Sequence, residues 1–197
     1  MLTVDDAQQQ VLHATIPRDS MPSPLSQSLG LILAEVVTSD LDMPPYDKAL
    51  MDGFAVRSLD LPEGRGELEV VGEIFAGETP AEKAAAVASG QAVRIMTGAP
   101  IPPGSDAVVA VERTSQGSGV RGQESEVGSQ GSVVVDDPRL RPGQNIMRRG
   151  TELTWGQVVL KAGTPIRPPE VGLLAAVGRA TVKVIPRPTV AIVSTGN

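Results

Sequence analysis

Short apolar segments separated by turn residues dominate the middle of the chain, and they predict strands. β-branched residues recur in such segments from residue 54 to about residue 135, a pattern that is typical of a β-rich domain. The predicted strands are 54–57, 67–74, 91–96, 107–112 and 132–136. An alanine-rich segment over 79–89 predicts a short helix among them, and residues 114–131, rich in Gly, Ser, Gln and Glu, predict a flexible connection or a hairpin tip.

The two ends of the chain mix helical and extended patterns. Thr3 and Asp6 have the spacing of a capping box, and the apolar residues that follow share one face, which predicts a helix over 3–15. Helical spacing over 25–33 gives way to strand-forming residues at 35–39. Further on, the pattern predicts strands at 158–160, 164–166 and 180–185, a helix at 168–177, and a buried strand over 189–196 that ends in a ligand-facing loop. The fold class is therefore predicted to be mixed α/β and rich in β-structure.

Composition excludes several classes of function. Aromatic residues make up only 2% of the chain and the net charge is -6, which disfavours nucleic acid because a phosphate backbone demands a basic surface. The chain has no cysteine and one histidine, so a Cys/His zinc site is excluded and any metal is expected to be a hard cation such as Mg²⁺. No segment is apolar enough to span a membrane, and the N-terminus lacks a signal-peptide pattern. We expect a cytoplasmic protein.

The segment 43–57 combines rigid, acidic and apolar residues. Pro44 and Pro45 favour an extended entry. Asp52-Gly53 predicts a turn that leads into a strand, because the Asp carboxylate can accept hydrogen bonds from amides just ahead. Taken alone, Asp52 is better explained as a turn residue than as a chemical group, and Asp47 is expected to be a loop residue.

A second segment, 93–112, repeats this arrangement of strand, turn and proline-rich loop. Thr97 follows a predicted strand, and its hydroxyl either caps the turn or binds a phosphate together with the amides around Gly98. Basic residues follow later in the chain, at Arg139, Arg141, Arg148 and Arg149. They form either a solvated basic rim or an anion-steering patch, and spacing alone does not decide between these alternatives.

Five motifs in a fixed order together resemble those of the MoeA family of molybdopterin molybdenumtransferases, which includes the C-terminal domain of gephyrin. The motifs are Met51-Asp-Gly-Phe-Ala-Val-Arg57, Arg94-Ile-Met-Thr-Gly-Ala-Pro100, Asp106-Ala-Val-Val, Asn145-Ile-Met-Arg-Arg-Gly150 and Ser194-Thr-Gly196. The resemblance extends over essentially the whole chain and corresponds to the first half of a typical member. On this basis we expect the 197-residue chain alone to be inactive.

The resemblance implies an activity and a set of site residues. The implied reaction is insertion of molybdate into adenylylated molybdopterin, with release of AMP and dependence on Mg²⁺. Asp52 and Thr97 match catalytic positions of the family, and Asp52 with Glu152 is expected to bind the metal, although many members have Asp at the position of Glu152. The expected substrate-binding residues are Gly98, Arg148, Arg149, Ser194, Thr195 and Gly196.

The resemblance also implies a domain organisation. Residues 22–45 and 143–185 are expected to form an elongated first domain that dimerises, with a small β-rich second domain inserted at 46–142. Residues 1–21 and 186–197 then contribute the first strand and other pieces of an incomplete, MogA-like α/β third domain. The implied partners are a second copy of the chain and a MogA-type adenylyltransferase. Two alternatives remain open: a gephyrin-like dimeric scaffold without catalysis, and a β-rich domain with an unknown ligand.

Overall fold

In the part of the chain that the structure describes, the fold consists of short strands and two α-helices. The computed structural model describes residues 2–16, 18–77, 86–117 and 131–194. The strands are β1 (Met21–Pro24), β2 (Ile32–Leu33), β3 (Val37–Thr38), β4 (Lys48–Ala49), β5 (Gly53–Val56), β6 (Arg65–Ile74), β7 (Gln91–Ile95), β8 (Ala107–Ala110), β9 (Thr114–Gln116), β10 (Ser132–Asp136), β11 (Ile146–Met147), β12 (Val158–Leu160) and β13 (Thr181–Ile185). The helices are α1 (Val4–Ala14) and α2 (Pro168–Ala176).

The chain divides into two compact units. The central unit is Asp42–Thr154, and the terminal unit combines Met1–Leu41 with Trp155–Asn197. None of the helices in the described part of the chain is both long and apolar enough to cross a membrane.

A six-stranded sheet forms the central unit, with strand order β8-β5-β7-β6-β10-β9. All neighbours are antiparallel except β6 and β7, which run parallel. Successive residues of a strand point to opposite faces, and accordingly Ala55 and Val56 of β5 belong to two different hydrophobic clusters. Because both faces are covered, the central strands are held rigidly, and the residues at their ends are positioned by the sheet register.

The terminal unit has its own small sheet and core. Strands β1, β13 and β2 form an antiparallel sheet in that order, and β12 pairs with β3. The fully buried core side chains of this unit are Leu33, Val37, Ile166, Leu174, Val177, Val182 and Val184. Helix α1 begins with the predicted capping box between Thr3 and Asp6 but buries none of its residues.

Most of the predicted elements are confirmed, although some are wrong. Residues 25–33 do not form a helix, because a 3-10 turn at Leu25–Gln27 is followed by Gly30 at φ 77° and then by β2. Residues 164–166 contribute only an isolated bridge at Pro165. Residues 189–194 form no strand, since no described strand pairs with them, and Ile192 is 93% exposed. The helix predicted over 79–89 lies largely outside the described residues. The connection predicted over 114–131 is wrong at its start, where Thr114–Gln116 form β9 and pair with β10, and most of the rest of it lies outside the described residues.

An ion pair at the start of α2 makes the stability of the terminal unit pH-dependent. Arg167 donates from its side chain and its backbone to the carboxylate of Glu170, and the side-chain hydrogen bonds hold the pKa of Glu170 at about 2. A lowered pKa stabilises the fold fully above the unfolded value near 4.5, and this contribution is lost as the pH falls through about 2. We expect Glu170→Gln to flatten the decline of Tm between these pH values. An unchanged slope in thermal unfolding would contradict this.

Candidate functional site

The sheet register brings Asp52 and Thr97 together. Gly53 in β5 lies opposite Ile95 in β7. The residue before Gly53 and the residues after Ile95 therefore lie close together, where these two neighbouring strands end. The backbone N–H and the hydroxyl of Thr97 both donate to Oδ1 of Asp52, each at 2.7 Å. Both side chains are exposed. The two residues that the sequence singled out are therefore one hydrogen-bonded pair.

Asp52 is an ionised carboxylate with one free oxygen. The side-chain hydrogen bond from Thr97 is the main cause that lowers the pKa of Asp52, and the backbone hydrogen bond and the charge of Arg94 act in the same direction. No described residue donates to Oδ2 of Asp52. The group is therefore negatively charged at neutral pH, is fixed through one oxygen and presents the other to solvent.

Glycine is required at position 53 because two strands approach closely there, and not because the chain turns. It lies in β5 rather than in the predicted turn, and the carboxylate of Asp52 accepts from Thr97 rather than from the amides just ahead. A Cβ atom on Gly53 would lie 1.9 Å from the carbonyl oxygen of Val109 on the neighbouring strand β8. The prediction of an Asp-Gly turn is wrong, because the close approach of two backbones explains this glycine better.

Gly98 shapes the turn after Thr97. Its φ of 84° lies in the region that favours glycine. Its N–H donates to the carbonyl oxygen of Ala49 at 2.9 Å. This amide is therefore used within the fold, and Gly98 contributes by holding Thr97 in place, while its predicted contact with a substrate stays a prediction.

Arg148 and Arg149 face carboxylates. Arg148 Nη1 lies 2.7 Å from Oδ2 of Asp47, and Arg149 Nε lies 2.6 Å from Oδ2 of Asp42. The backbone N–H of Arg149 also donates to Asp47 at 2.8 Å. Burial raises the pKa of Asp47, but the hydrogen bonds from Arg149 and Arg148 and the charge of Arg148 outweigh it, so that the net pKa is lowered. The charges of both arginines are thus largely balanced within the fold.

Sequence reasoning missed the role of Asp47. It joins a loop near residue 47 to a turn near residue 148, across a sequence separation of 101 residues. No local pattern signals such a contact. The prediction that Asp47 is a loop residue is confirmed, but it did not include the partners of the side chain.

Among the described residues of the central unit, Glu152 forms no hydrogen bond with Asp52. The backbone N–H of Glu152 donates to Met43, and no described residue donates a hydrogen bond to its carboxylate. Ser194 lies in the terminal unit and is exposed. Thr195 and Gly196 lie outside the described residues.

A Mg²⁺ ion is compatible with the carboxylate of Asp52. No group of three His, Cys, Asp or Glu side chains that could hold a metal occurs in the described chain. Mg²⁺ commonly keeps several waters and binds through one or two carboxylates together with substrate phosphates. The free Oδ2 of the ionised Asp52 fits that kind of donor set.

Comparison with known proteins supports the family relationship. Residues 2–178 match the family model described as MoeA N-terminal region (domain I and II). The chain is 36% identical over 200 aligned residues to a molybdopterin molybdenumtransferase of Staphylococcus aureus and 37% identical over 199 to one of Bacillus subtilis. The alignments cover 100% and 99% of this chain, respectively, and 44% of each relative. The chain thus spans less than half the length of these relatives.

Solved structures show the same likeness. A crystal structure of a molybdopterin biosynthesis MoeA protein from Pyrococcus horikosii superposes with a TM-score of 0.75 at 30% identity, covering 95% of this chain and 45% of that one. A second MoeA structure, from Pyrococcus horikoshii OT3, gives 0.68 at 33% identity, covering 84% and 41%. The fold, the order of the motifs and the match over residues 2–178 agree, and the chain belongs to the MoeA N-terminal region family.

Proposed function

We propose that this chain is part of a molybdopterin molybdenumtransferase that inserts molybdate into adenylylated molybdopterin and releases AMP. The observation that carries the proposal is the ionised Asp52, which accepts two hydrogen bonds from Thr97 where β5 and β7 end. Asp52 and Thr97 each belong to one of the five family motifs. The names of the relatives in Staphylococcus aureus and Bacillus subtilis support the same assignment. A carboxylate fixed in this way favours catalysis over a purely scaffolding role.

We propose distinct tasks for the residues of the site. Thr97 orients the carboxylate of Asp52 and lowers its pKa, so that the second oxygen is available to a cation or to a substrate proton. When bound, Mg²⁺ would neutralise negative charge on the phosphates and on the incoming oxyanion. Gly98 fixes the turn that carries Thr97. Asp47 positions the Arg148-Arg149 turn in the same unit.

The remaining parts of the proposal concern assembly and location. We propose a homodimer in which Asp52 of one subunit acts together with later segments of the other, in the cytoplasm and in sequence with a MogA-type adenylyltransferase. Adenylylated molybdopterin and molybdate are the proposed substrates, and Glu152 is the proposed second metal ligand. The order of the motifs and the names of the relatives are the support for these points.

The test is a reconstituted reaction with the complete protein that carries this chain. Adenylylated molybdopterin is supplied with molybdate and Mg²⁺, and AMP release and formation of active cofactor are measured. We expect both products to require molybdate, and we expect removal of Mg²⁺ by a chelator to abolish them until Mg²⁺ is restored. If the folded protein binds the substrate but releases no AMP in the presence of molybdate, the proposed function is wrong.

A further inference from the structure

Three arginines of the central unit differ from their neighbours because they form no ion pair with another described residue. Arginines elsewhere in this unit face carboxylates, as at Arg57, Arg65, Arg94, Arg148 and Arg149. The guanidinium groups of Arg113, Arg139 and Arg141 make no ion pair with any carboxylate in the described chain. In a protein with a net charge of -6, three exposed cations that lack an acidic partner among the described residues need an explanation.

The three arginines line one depression. Its volume is about 500 Å³, and Gln144 and Asn145 also contribute to its surface. Arg113 ends a 3-10 turn that follows β8, whereas Arg139 and Arg141 belong to the loop after β10. Two separate segments of the central unit therefore supply cations to the same concave surface.

The loop after β10 is held in shape by Asp137. This residue is only 4% exposed, and its carboxylate accepts from the backbone N–H of Arg139 at 3.2 Å and from the side chain of Gln144 at 2.6 Å. The N–H of Leu140 donates to the carbonyl oxygen of Asp137, and the N–H of Gln144 donates to that of Arg141. The backbone that carries the two arginines is therefore fixed by its own hydrogen bonds.

Asp137 also lines the depression, and neither it nor the other acidic groups nearby forms an ion pair with the three arginines in the described part of the chain. Both carboxylate oxygens of Asp137 accept hydrogen bonds from the loop. Asp136 pairs with Arg65 at 2.9 Å. Glu112 is the sequence neighbour of Arg113 and lines a different depression with it. Three guanidinium groups against the one carboxylate of the lining leave the depression with a net positive charge.

We propose that Arg113, Arg139 and Arg141 form a binding site for a phosphate-type oxyanion. Guanidinium groups present a planar fork of donors that matches the oxygens of phosphate. A volume of about 500 Å³ is large enough for a small molecule that carries such a group. Met51, the neighbour of Asp52, also lines the depression, so an occupant lies beside the candidate site. The binding itself does not depend on the proposed transferase activity.

The test measures binding to the purified chain at low ionic strength. Ribose 5-phosphate and inorganic phosphate are titrated separately, with uncharged ribose as the negative ligand, and the arginine Nε–Hε signals are followed by NMR. We expect saturable shifts at the three arginines with both phosphates and none with ribose. Tighter binding of ribose 5-phosphate indicates a phosphoryl group carried by an organic molecule, whereas equal affinities indicate the free ion.

Variants from the two segments make the test decisive. Arg113→Gln and Arg139→Gln are each expected to weaken phosphate binding about tenfold, because each removes a charge-assisted hydrogen-bond donor. Arg65→Gln, at an exposed arginine of the same unit that is already paired, is the matched control and is expected to retain the affinity. Thermal unfolding verifies that each variant is folded. Absence of saturable binding, or equal losses in folded Arg65→Gln and Arg139→Gln, would overturn the proposal.

Discussion

Replacement of Asp52 by asparagine is expected to reduce molybdate insertion by the complete protein about 100-fold or more. Asparagine keeps the oxygen that accepts from the N–H and hydroxyl of Thr97, so the local geometry is retained. What is lost is the negative charge, which the site supplies to a cation or to a developing positive charge, and loss of one such preorganised group typically costs about 10²–10³ in kcat. The measurement is the rate of AMP release at saturating substrate.

Asp60 provides a matched control for Asp52. It too accepts from a hydroxyl, that of Ser89 at 2.9 Å, and from a backbone N–H, that of Gly90 at 3.0 Å. Its pKa is likewise lowered, chiefly by the backbone hydrogen bond from Gly90. We expect Asp60→Asn to leave the rate nearly unchanged. A similar loss in both variants would show that Asp52 acts through the stability of the fold and not through the chemistry.

A second control separates orientation from charge at the same position. Thr97→Val removes the hydroxyl that donates to Asp52 but keeps the backbone N–H and the side-chain volume. We expect a loss about tenfold or less in kcat, since the carboxylate remains ionised but is held less firmly. A loss as large as that of Asp52→Asn would indicate that the hydroxyl itself contacts the substrate.

The strands of the central unit could be predicted because their signal is local. Alternation of apolar residues fixes which segments are extended, and the predicted strand at 132–136 agrees with β10, which is Ser132–Asp136. The helix predicted over 25–33 is wrong because its backbone is not determined locally. Its apolar spacing fits a helix, but Gly30 adopts φ 77° and donates to Ile166, so a contact with a distant segment determines the local backbone.

The site was predictable in its members but not in its contacts. Asp52 and Thr97 were found because each lies in a recognisable motif, whereas their pairing depends on the register between β5 and β7. The contacts of Arg148 and Arg149 span 101 to 107 residues. Charge spacing alone left these arginines undecided between a solvated rim and an anion patch. The structure pairs them with acids, whereas Arg113, Arg139 and Arg141 form no ion pair with any described residue.

The largest effect on stability is expected at Gly53, where alanine should destabilise the central unit by about 3 kcal/mol, near the upper end of the usual cost of overpacking. The new Cβ atom would lie 1.9 Å from the carbonyl oxygen of Val109, a backbone atom that cannot rotate away. Relief requires β5 and β8 to separate, which breaks hydrogen bonds between buried strands. The measurement is denaturant unfolding of the 197-residue chain.

Gly72 is the matched control for Gly53 because it also lies in a strand of the central sheet. A Cβ atom on Gly72 would meet nothing within 4 Å, so Gly72→Ala is expected to change the free energy of unfolding by less than about 1 kcal/mol. Equal effects of the two substitutions would contradict the steric explanation.

Because Gly53 is bonded directly to Asp52, a separation of β5 from β8 also displaces the carboxylate from Thr97. We therefore expect the folded fraction of the Gly53→Ala protein to be less active than the folded wild-type protein.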